Sequence, residues 1–348
     1  MSSTGAIPPA FSDARAHARV AVIVPAYGVA HLVGDALESL QAQTIPDWEC
    51  VVVDDGAPDD VASAVAPFLV DPRISLLETD NAGVSSARNR AIAQTRAPYI
   101  ALLDGDDMLR PDYLARTLAV LEADPQTRLV TVNARIFGAV QQERRCFSAK
   151  QGRGDGIRGS LADVMDRSFG VYIGSTFRRA DFDRIGGFDE SMTHAEDFDL
   201  WVRLMLLGGH AHYIDEVLGD YRVRSSSASA AEQKMLKGNI RTFEKALGAL
   251  DPAAPEATIA RAMIADNARQ LRFSVAADRV IDGDRAALAE LESSTGPEHG
   301  PAWRAYFLIW KVAPALAGPM LALRRRRNAR GAGAPESDSA PSRKAASL

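Results

Sequence analysis

Four short apolar runs, Arg19–Val24, Glu49–Val53, Ile74–Leu77 and Tyr99–Leu103, alternate with stretches of helical spacing in the N-terminal third of the chain. Runs of this length with few charges read as buried strands. Between the first two, Val29–Gln43 carries Leu32, Val33, Ala36, Leu37 and Leu40 on one helical face, and Val61–Val70 and Ser85–Thr95 fill the next gaps. The alternation predicts an α/β fold, a mostly parallel sheet with helices on both faces. Such sheets bind ligands outside the carboxyl ends of their strands. Three of the four predicted strands end in chemically distinctive residues: Pro25-Ala26-Tyr27, Asp54-Asp55-Gly56 and Asp104-Gly105-Asp106-Asp107.

The last of these places three carboxylates within four residues of a buried strand. Their mutual repulsion raises carboxylate pKa values unless a cation sits among them. Hard oxygen ligands at this density suit Mg²⁺ or Mn²⁺, and a solvated acidic turn is the plainer alternative.

Beyond this, Pro111–Ala123 reads as helix, Arg128–Phe137 as strand, Gln151–Ser160 as a Gly- and Arg-rich loop, and Val171–Phe177 as a return to the sheet. Ile185–Glu190 is a turn, Glu196–Leu207 a helix with acids in its first turn, and Tyr213–Tyr221 a closing strand. The segments expected are a flexible leader (1–18), the α/β domain (19–224), a helical region (225–300), an apolar and basic helix (301–327) and a disordered tail (328–348).

The net charge of −5 argues against nucleic acid as a partner, although Arg324–Arg327 form a local basic run. Cys50 and Cys146 make no metal-ligand spacing and suit a reducing, cytoplasmic setting. The leader lacks the apolar core of a signal peptide.

Val22-Ile23-Val24-Pro25-Ala26-Tyr27, Val52-Val53-Asp54-Asp55-Gly56, Asn81-Ala82-Gly83-Val84-Ser85-Ser86-Ala87-Arg88-Asn89, Leu103-Asp104-Gly105-Asp106-Asp107, Gly186-Gly187-Phe188-Asp189-Glu190 and Glu196-Asp197 occur in this order. Together they resemble the family 2 glycosyltransferases of GT-A fold, over roughly Val20 to Arg224. The resemblance implies transfer of a sugar from a nucleotide-diphosphosugar, preferably a UDP-sugar, to an acceptor hydroxyl. It also implies inversion at the anomeric carbon and use of Mg²⁺ or Mn²⁺.

Under that resemblance Pro25 and Tyr27 meet the nucleobase, on which an aromatic ring stacks, and Asp55 accepts from a base N–H. Asp54 joins them by supporting the turn, against the alternative that it is a helix cap. Arg88 neutralises the acidic cluster or touches the nucleotide; its alternative is a surface ion pair worth under about 1 kcal/mol. Asp106 holds the ribose and Asp107 the metal, with Asp104 alongside, and the allocation among the three stays open; Asp106 is a second candidate metal ligand.

Asp197 matches the general base, with Glu196 as helper, against the alternative that both merely complement a helix dipole. On the acceptor side stand Gly187, permitting a tight turn with Gly186, and Trp201 and Arg203, which either shape a pocket or simply pack. Relatives carry Tyr-Arg-x-His where this chain has Tyr221-Arg222-Val223-Arg224; Arg224 is expected to contact phosphate, without a histidine's metal-binding role. The Gln-x-x-Arg-Trp signature of processive synthases is absent, which points to single-sugar transfer onto a glycan or lipid-linked acceptor in bacterial surface polysaccharide or glycolipid synthesis. The rivals are a sugar-phosphate nucleotidyltransferase, whose Gly-rich triphosphate loop is missing from Val24–Val33, and a non-catalytic nucleotide-sugar-binding module.

Near the C-terminus Trp303–Val312 leads into Ala313–Leu323 and the four arginines. Aromatics at one end and arginines at the other fit an anchor on the inner face of the cell membrane. A core helix with a solvated basic end is the other reading.

Overall fold

The structure is a computed structural model that describes residues 15, 17–147, 157–224 and 229–331. In chain order, β1 (Val20–Ala26), α1 (Val33–Gln41), β2 (Trp48–Asp55), α2 (Val61–Val65), β3 (Ile74–Thr79), α3 (Val84–Ala93) and β4 (Tyr99–Leu102) alternate as the sequence predicts. Then come β5 (Met108–Leu109), α4 (Tyr113–Ala123), β6 (Thr127–Gly138), β7 (Arg144–Arg145), β8 (Arg158–Gly159), α5 (Leu161–Met165), β9 (Thr176–Arg178), α6 (Arg179–Arg184), α7 (Glu196–Met205) and β10 (His210–Val223). Five helices follow: α8 (Ser229–Ala249), α9 (Pro255–Ile281), α10 (Ala287–Ser293), α11 (Ala302–Val312) and α12 (Ala317–Gly331).

Alternate residues of the central strands feed two cores, which is why those strands are apolar without a break. Val20, Val22 and Val24 pack with Val33, Ala36, Leu37 and Leu40 of α1 and with Leu114 and Leu118 of α4. Ala21 and Ile23 pack on the opposite face with Ala87, Ala91 and Ile92 of α3 and Leu200 and Leu204 of α7.

The strand order is β3-β2-β1-β4-β9-β6-β10-β5. It is parallel from β3 to β4 and mixed beyond, because β9 runs antiparallel to both β4 and β6. β10 runs parallel to β6, and β5 pairs antiparallel with Gly219 and Asp220 of β10. The acidic turn therefore bridges from the end of β4 to the far edge of the sheet. That crossing brings Tyr221–Arg224 beside the carboxylates.

Several expectations are corrected. The helix expected over Val61–Val70 divides after Val65, where Pro67 lies in a 3₁₀ turn at Ala66–Val70 and has no N–H for a continuing α-helix. The return expected over Val171–Phe177 shrinks to Thr176–Arg178, because Tyr172 turns inward and its hydroxyl donates to Asp107 Oδ2 at 3.1 Å. The apolar C-terminal helix is two helices, α11 and α12, broken by a 3₁₀ turn at Pro314–Leu316. α12 reaches Gly331, past Asn328 where the disordered tail was expected to begin. The remaining tail, most of the leader, the 225–228 linker and most of the Gly- and Arg-rich loop lie outside the described residues.

The helical region is not independent of the sheet. Phe243 and Ala246 of α8 and Ala260 of α9 belong to the core shared with α7, while Ala276, Ala277 and Val280 of α9 join Trp303, Phe307 and Trp310 in a separate small core. At about 1.5 Å per residue, the 27 residues of α9 span both. No helix among the described residues is long and apolar enough to cross a membrane.

Candidate active site

The strand ends meet in a cleft of about 760 Å³, lined by Pro25, Tyr27, Asp55, Gly83, Arg88, Asp104, Asp106 and Glu196, with Arg224, Lys234 and His194 at its border. Tyr27 is 54% exposed at the end of β1, free to stack on a ring entering the cleft. Gly105 lets the acidic turn pass β1, since a Cβ there would lie 2.9 Å from the Pro25 carbonyl oxygen.

At the end of β2 the two acids divide their work. Asp54 accepts from the Ala57 N–H at 2.8 Å and fixes its own turn, while the helix that follows, α2, is capped by Asp60 instead. Asp55 is buried and accepts from the Ala82 and Gly83 N–H groups at 3.0 and 2.8 Å. It thereby ties β2 to the loop that starts α3, and still lines the cleft.

Arg88 is buried on α3, not on the surface. Its Nη2 donates to Asp104 Oδ1 at 2.7 Å and its Nη1 to Glu196 Oε1 at 3.0 Å, linking the end of β4 to the start of α7. Burial disfavours its charge, but the two carboxylates outweigh burial and hold its pKa above the ordinary arginine value.

The three clustered aspartates separate. Asp104 and Asp106 line the cleft. Asp106 accepts from Arg224 Nε at 2.8 Å, and burial, followed by the Asp104 charge, raises its pKa. Asp107 corrects the expectation that it ligates a metal from the cleft. It is 1% exposed, does not line the cleft, and accepts from the Arg222 N–H at 2.8 Å and from Tyr172. Burial, then the charge of Asp104, pushes its pKa up to about 8. Asp107 fastens the turn to β10. Among the described residues no group of three or more His, Cys, Asp or Glu side chains is placed to hold a metal ion.

α7 opens after Ala195, whose φ is 59°, so its first two residues diverge. Glu196 faces the cleft. Asp197 instead lines an adjoining cavity with Trp201 and Phe198. Burial and then the Glu196 charge raise the Asp197 pKa, so its carboxylate is a stronger base than an open one.

The acceptor-side residues expected from the sequence are divided. Trp201 lines the second cavity. Arg203 lines neither cavity described here: it pairs with Asp199 at 2.6 Å and donates to the Ile185 and Gly187 carbonyls. Gly187 has φ +77°, and a Cβ there would lie 2.9 Å from Asn89 Oδ1; it shapes a turn that Asn89 locks by donating to the Phe188 carbonyl and accepting from its N–H. Arg224 belongs to the first cleft.

Sequence reasoning missed Tyr172, Arg222, His194 and Lys234. Tyr172 and Arg222 act through a fold-dependent meeting of β10 with the acidic turn, for which no local pattern exists. Arg222 alternates with Arg224 along a strand, a signal that could have marked a paired basic element.

The family model "Glycosyl transferase family 2" matches residues 21–186. Over 225 residues the chain is 27% identical to the Escherichia coli UDP-Glc:alpha-D-GlcNAc-diphosphoundecaprenol beta-1,3-glucosyltransferase WfgD, covering 63% of this chain and 82% of that protein. In three other curated relatives the match spans 23%, 27% and 64% of their own lengths. Among solved structures, S. aureus TarS 1-349 in complex with UDP-GlcNAc superposes with a TM-score of 0.58 at 18% identity, covering 78% of this chain and 84% of that one. Mannosyltransferase PcManGT from Pyrobaculum calidifontis, in complex with GDP-Man and Mn²⁺, superposes at 0.57 with 22% identity over 86% of each chain. The fold is GT-A.

Proposed function

We propose that the cleft binds a nucleotide-diphosphosugar and that the protein transfers one sugar, with inversion, to an acceptor hydroxyl, as the match of residues 21–186 to the glycosyl transferase family 2 model suggests. The observation that carries this reading is Arg88, which joins Asp104 at the end of β4 to Glu196 at the start of α7. A UDP-sugar is the preferred donor, given the UDP-GlcNAc complex of a structural neighbour. A lipid-linked acceptor in surface polysaccharide synthesis is preferred, given the diphosphoundecaprenol in the name of one relative.

The chemistry needs one base and a leaving-group site. Asp197 takes the proton from the acceptor hydroxyl as its oxygen bonds to the anomeric carbon. The bond from that carbon to the diphosphate oxygen breaks on the opposite face, and its electron pair leaves with the nucleoside diphosphate. One displacement, with no protein nucleophile, inverts the configuration. Arg224 and Lys234 border the cleft and can balance the growing charge.

A divalent ion fits this site. Asp104 and Asp106 are like charges facing one cleft, and the Asp104 charge already helps raise the Asp106 pKa. Mg²⁺ and Mn²⁺ commonly need only one or two protein carboxylates beside substrate phosphates. Asp104 and Asp106 would hold it, in place of the Asp106 and Asp107 pair. When bound, such an ion neutralises charge on the departing diphosphate.

The test is a panel of nucleotide sugars with Mn²⁺, read by thermal shift and by the anomeric configuration of the product. A donor that raises the melting temperature and yields inverted product supports the reading; retained configuration, or transfer of a nucleotidyl group, sinks it. Tyr27→Ala should raise the donor KM about tenfold, since stacking on a base is worth about 1–3 kcal/mol, with little change in kcat. An unchanged KM would remove Tyr27 from the base site.

We also propose that the protein docks on an anionic lipid surface through its last helices. Leu308, Val312 and Leu323 are 66%, 88% and 60% exposed, with Ile309 and Leu316 also exposed among them. Arg304 shares α11 with this apolar face and Arg324 follows it in α12, while Lys311 and Arg325 are paired with Glu292 and Asp278; apolar side chains beside cations suit anionic headgroups. The full chain should co-sediment with phosphatidylglycerol vesicles at low salt. Leu308→Asp with Val312→Asp should abolish that without lowering the melting temperature. Equal binding to phosphatidylcholine vesicles, or binding unaltered by the two aspartates, would contradict it.

A further inference from the structure

The second cavity, about 430 Å³, has the size of a small-molecule site and one chemical peculiarity. Its walls are aromatic: Phe147, Phe169, Phe198 and Trp201. Trp201 is 2% exposed, and among the described residues its indole N–H has no hydrogen-bond partner. A buried donor left unmet beside a cavity calls for a ligand acceptor. The two charged residues lining it are Asp197 and Arg167.

Arg167 is held in an unusual way. Its backbone sits at φ 59°, a left-handed conformation that non-glycine residues adopt at a cost. Its guanidinium stacks 4.7 Å from the Phe198 ring, and Nη2 donates to Asn239 Oδ1 at 2.8 Å. Asn239 is itself buried on α8 and donates to Asn267 Oδ1 of α9 at 3.2 Å. Among the described residues no carboxylate lies within ion-pair distance of Arg167. Thus α8 and α9 brace an arginine that keeps donors beyond the Asn239 bond, in a cavity where the charge of the proposed base, Asp197, acts on it without a direct ion pair.

We infer that this cavity is the acceptor subsite and that Arg167 selects acceptors carrying an anionic group, a phosphate or a carboxylate, near the sugar whose hydroxyl reacts. The inference rests on the transferase reading for the word acceptor, but not for the charge selectivity. A planar guanidinium with free donors matches both oxyanions in bidentate fashion. The aromatic walls supply faces for the sugar ring, and the Trp201 N–H supplies a donor for one of its hydroxyls.

The test titrates three probes into the full chain saturated with UDP, following tryptophan fluorescence. The probes are a neutral octyl glucoside, an octyl glucuronide bearing a ring carboxylate, and a short-chain lipid diphosphate carrying N-acetylglucosamine. At least one charged probe should bind about tenfold or more tighter than the neutral one, the worth of a single charge-assisted hydrogen bond. Which charged probe does so identifies the source of the anion. Arg167→Gln should bring its affinity down to that of the neutral probe, and Arg167→Lys should retain part of the preference.

Equal binding of all three probes by the wild-type chain overturns the inference without recourse to any variant. So does a charge preference that survives Arg167→Gln. Charge-selective binding without transfer from any nucleotide sugar would leave the subsite standing and sink the transferase reading instead.

Discussion

Asp197→Asn should lower kcat by about 10²–10⁴-fold, the usual worth of a positioned general base, while nucleotide-sugar binding persists. The substitution keeps the shape of the side chain and its bond with the Phe198 N–H can survive, since the amide oxygen still accepts. Asn also removes a carboxylate whose charge is disfavoured by burial and by Glu196, so the melting temperature should not fall. A variant that turns over at the wild-type rate would remove Asp197 from the mechanism. One that unfolds would assign it to the architecture.

The pH dependence gives a second reading of the same residue. Asp197 works as a base only when deprotonated, so kcat should rise with pH through its pKa. That pKa lies above the ordinary aspartate value because of burial first and the Glu196 charge second, with Arg88 pulling the other way. The acid limb of the profile should therefore sit above about 3.9. Glu196→Gln removes a like charge and should move the limb down. An upward shift on that substitution would mean that a group other than Asp197 sets the limb.

The carboxylate cluster shows where sequence reasoning stopped. The alternation of Val20–Ala26, Trp48–Asp55, Ile74–Thr79 and Tyr99–Leu102 with helices was legible, because burial on both faces writes a continuous apolar run. The six motifs pointed to strand ends that the structure brings together around one cleft. They did not reveal which carboxylate faced the cleft, since three acids in one turn look alike until β5 pairs with β10 and draws Asp107 inward to Arg222 and Tyr172. Arg167 was illegible for the same reason. Its environment comes from α8 and α9, more than sixty residues downstream, and its left-handed backbone has no glycine to announce it. Where one residue's role depends on a distant partner, local pattern carries no trace of it.

Arg88→Met should have the largest combined effect. Arg88 is 2% exposed and stands between Asp104 and Glu196. Removing one partner of a buried pair costs about 3–5 kcal/mol because the remaining charge is left uncompensated. Here the carboxylates keep 29% and 15% side-chain exposure, so water relieves part of the penalty and the lower end, about 3 kcal/mol, is expected. Activity should fall by about 10²-fold or more, since the same arginine sets the position of the α7 acids against the leaving-group cleft, and small displacements there are expensive. Stability and activity can then be separated by a second substitution. Glu196→Gln in the Arg88→Met background removes one stranded charge and should recover part of the lost stability, a non-additivity expected of residues in one network. It should not recover transfer, because the link from β4 to α7 stays broken. If turnover returned together with stability, Arg88 would be only a structural counter-ion, and the cleft would owe its geometry to something else.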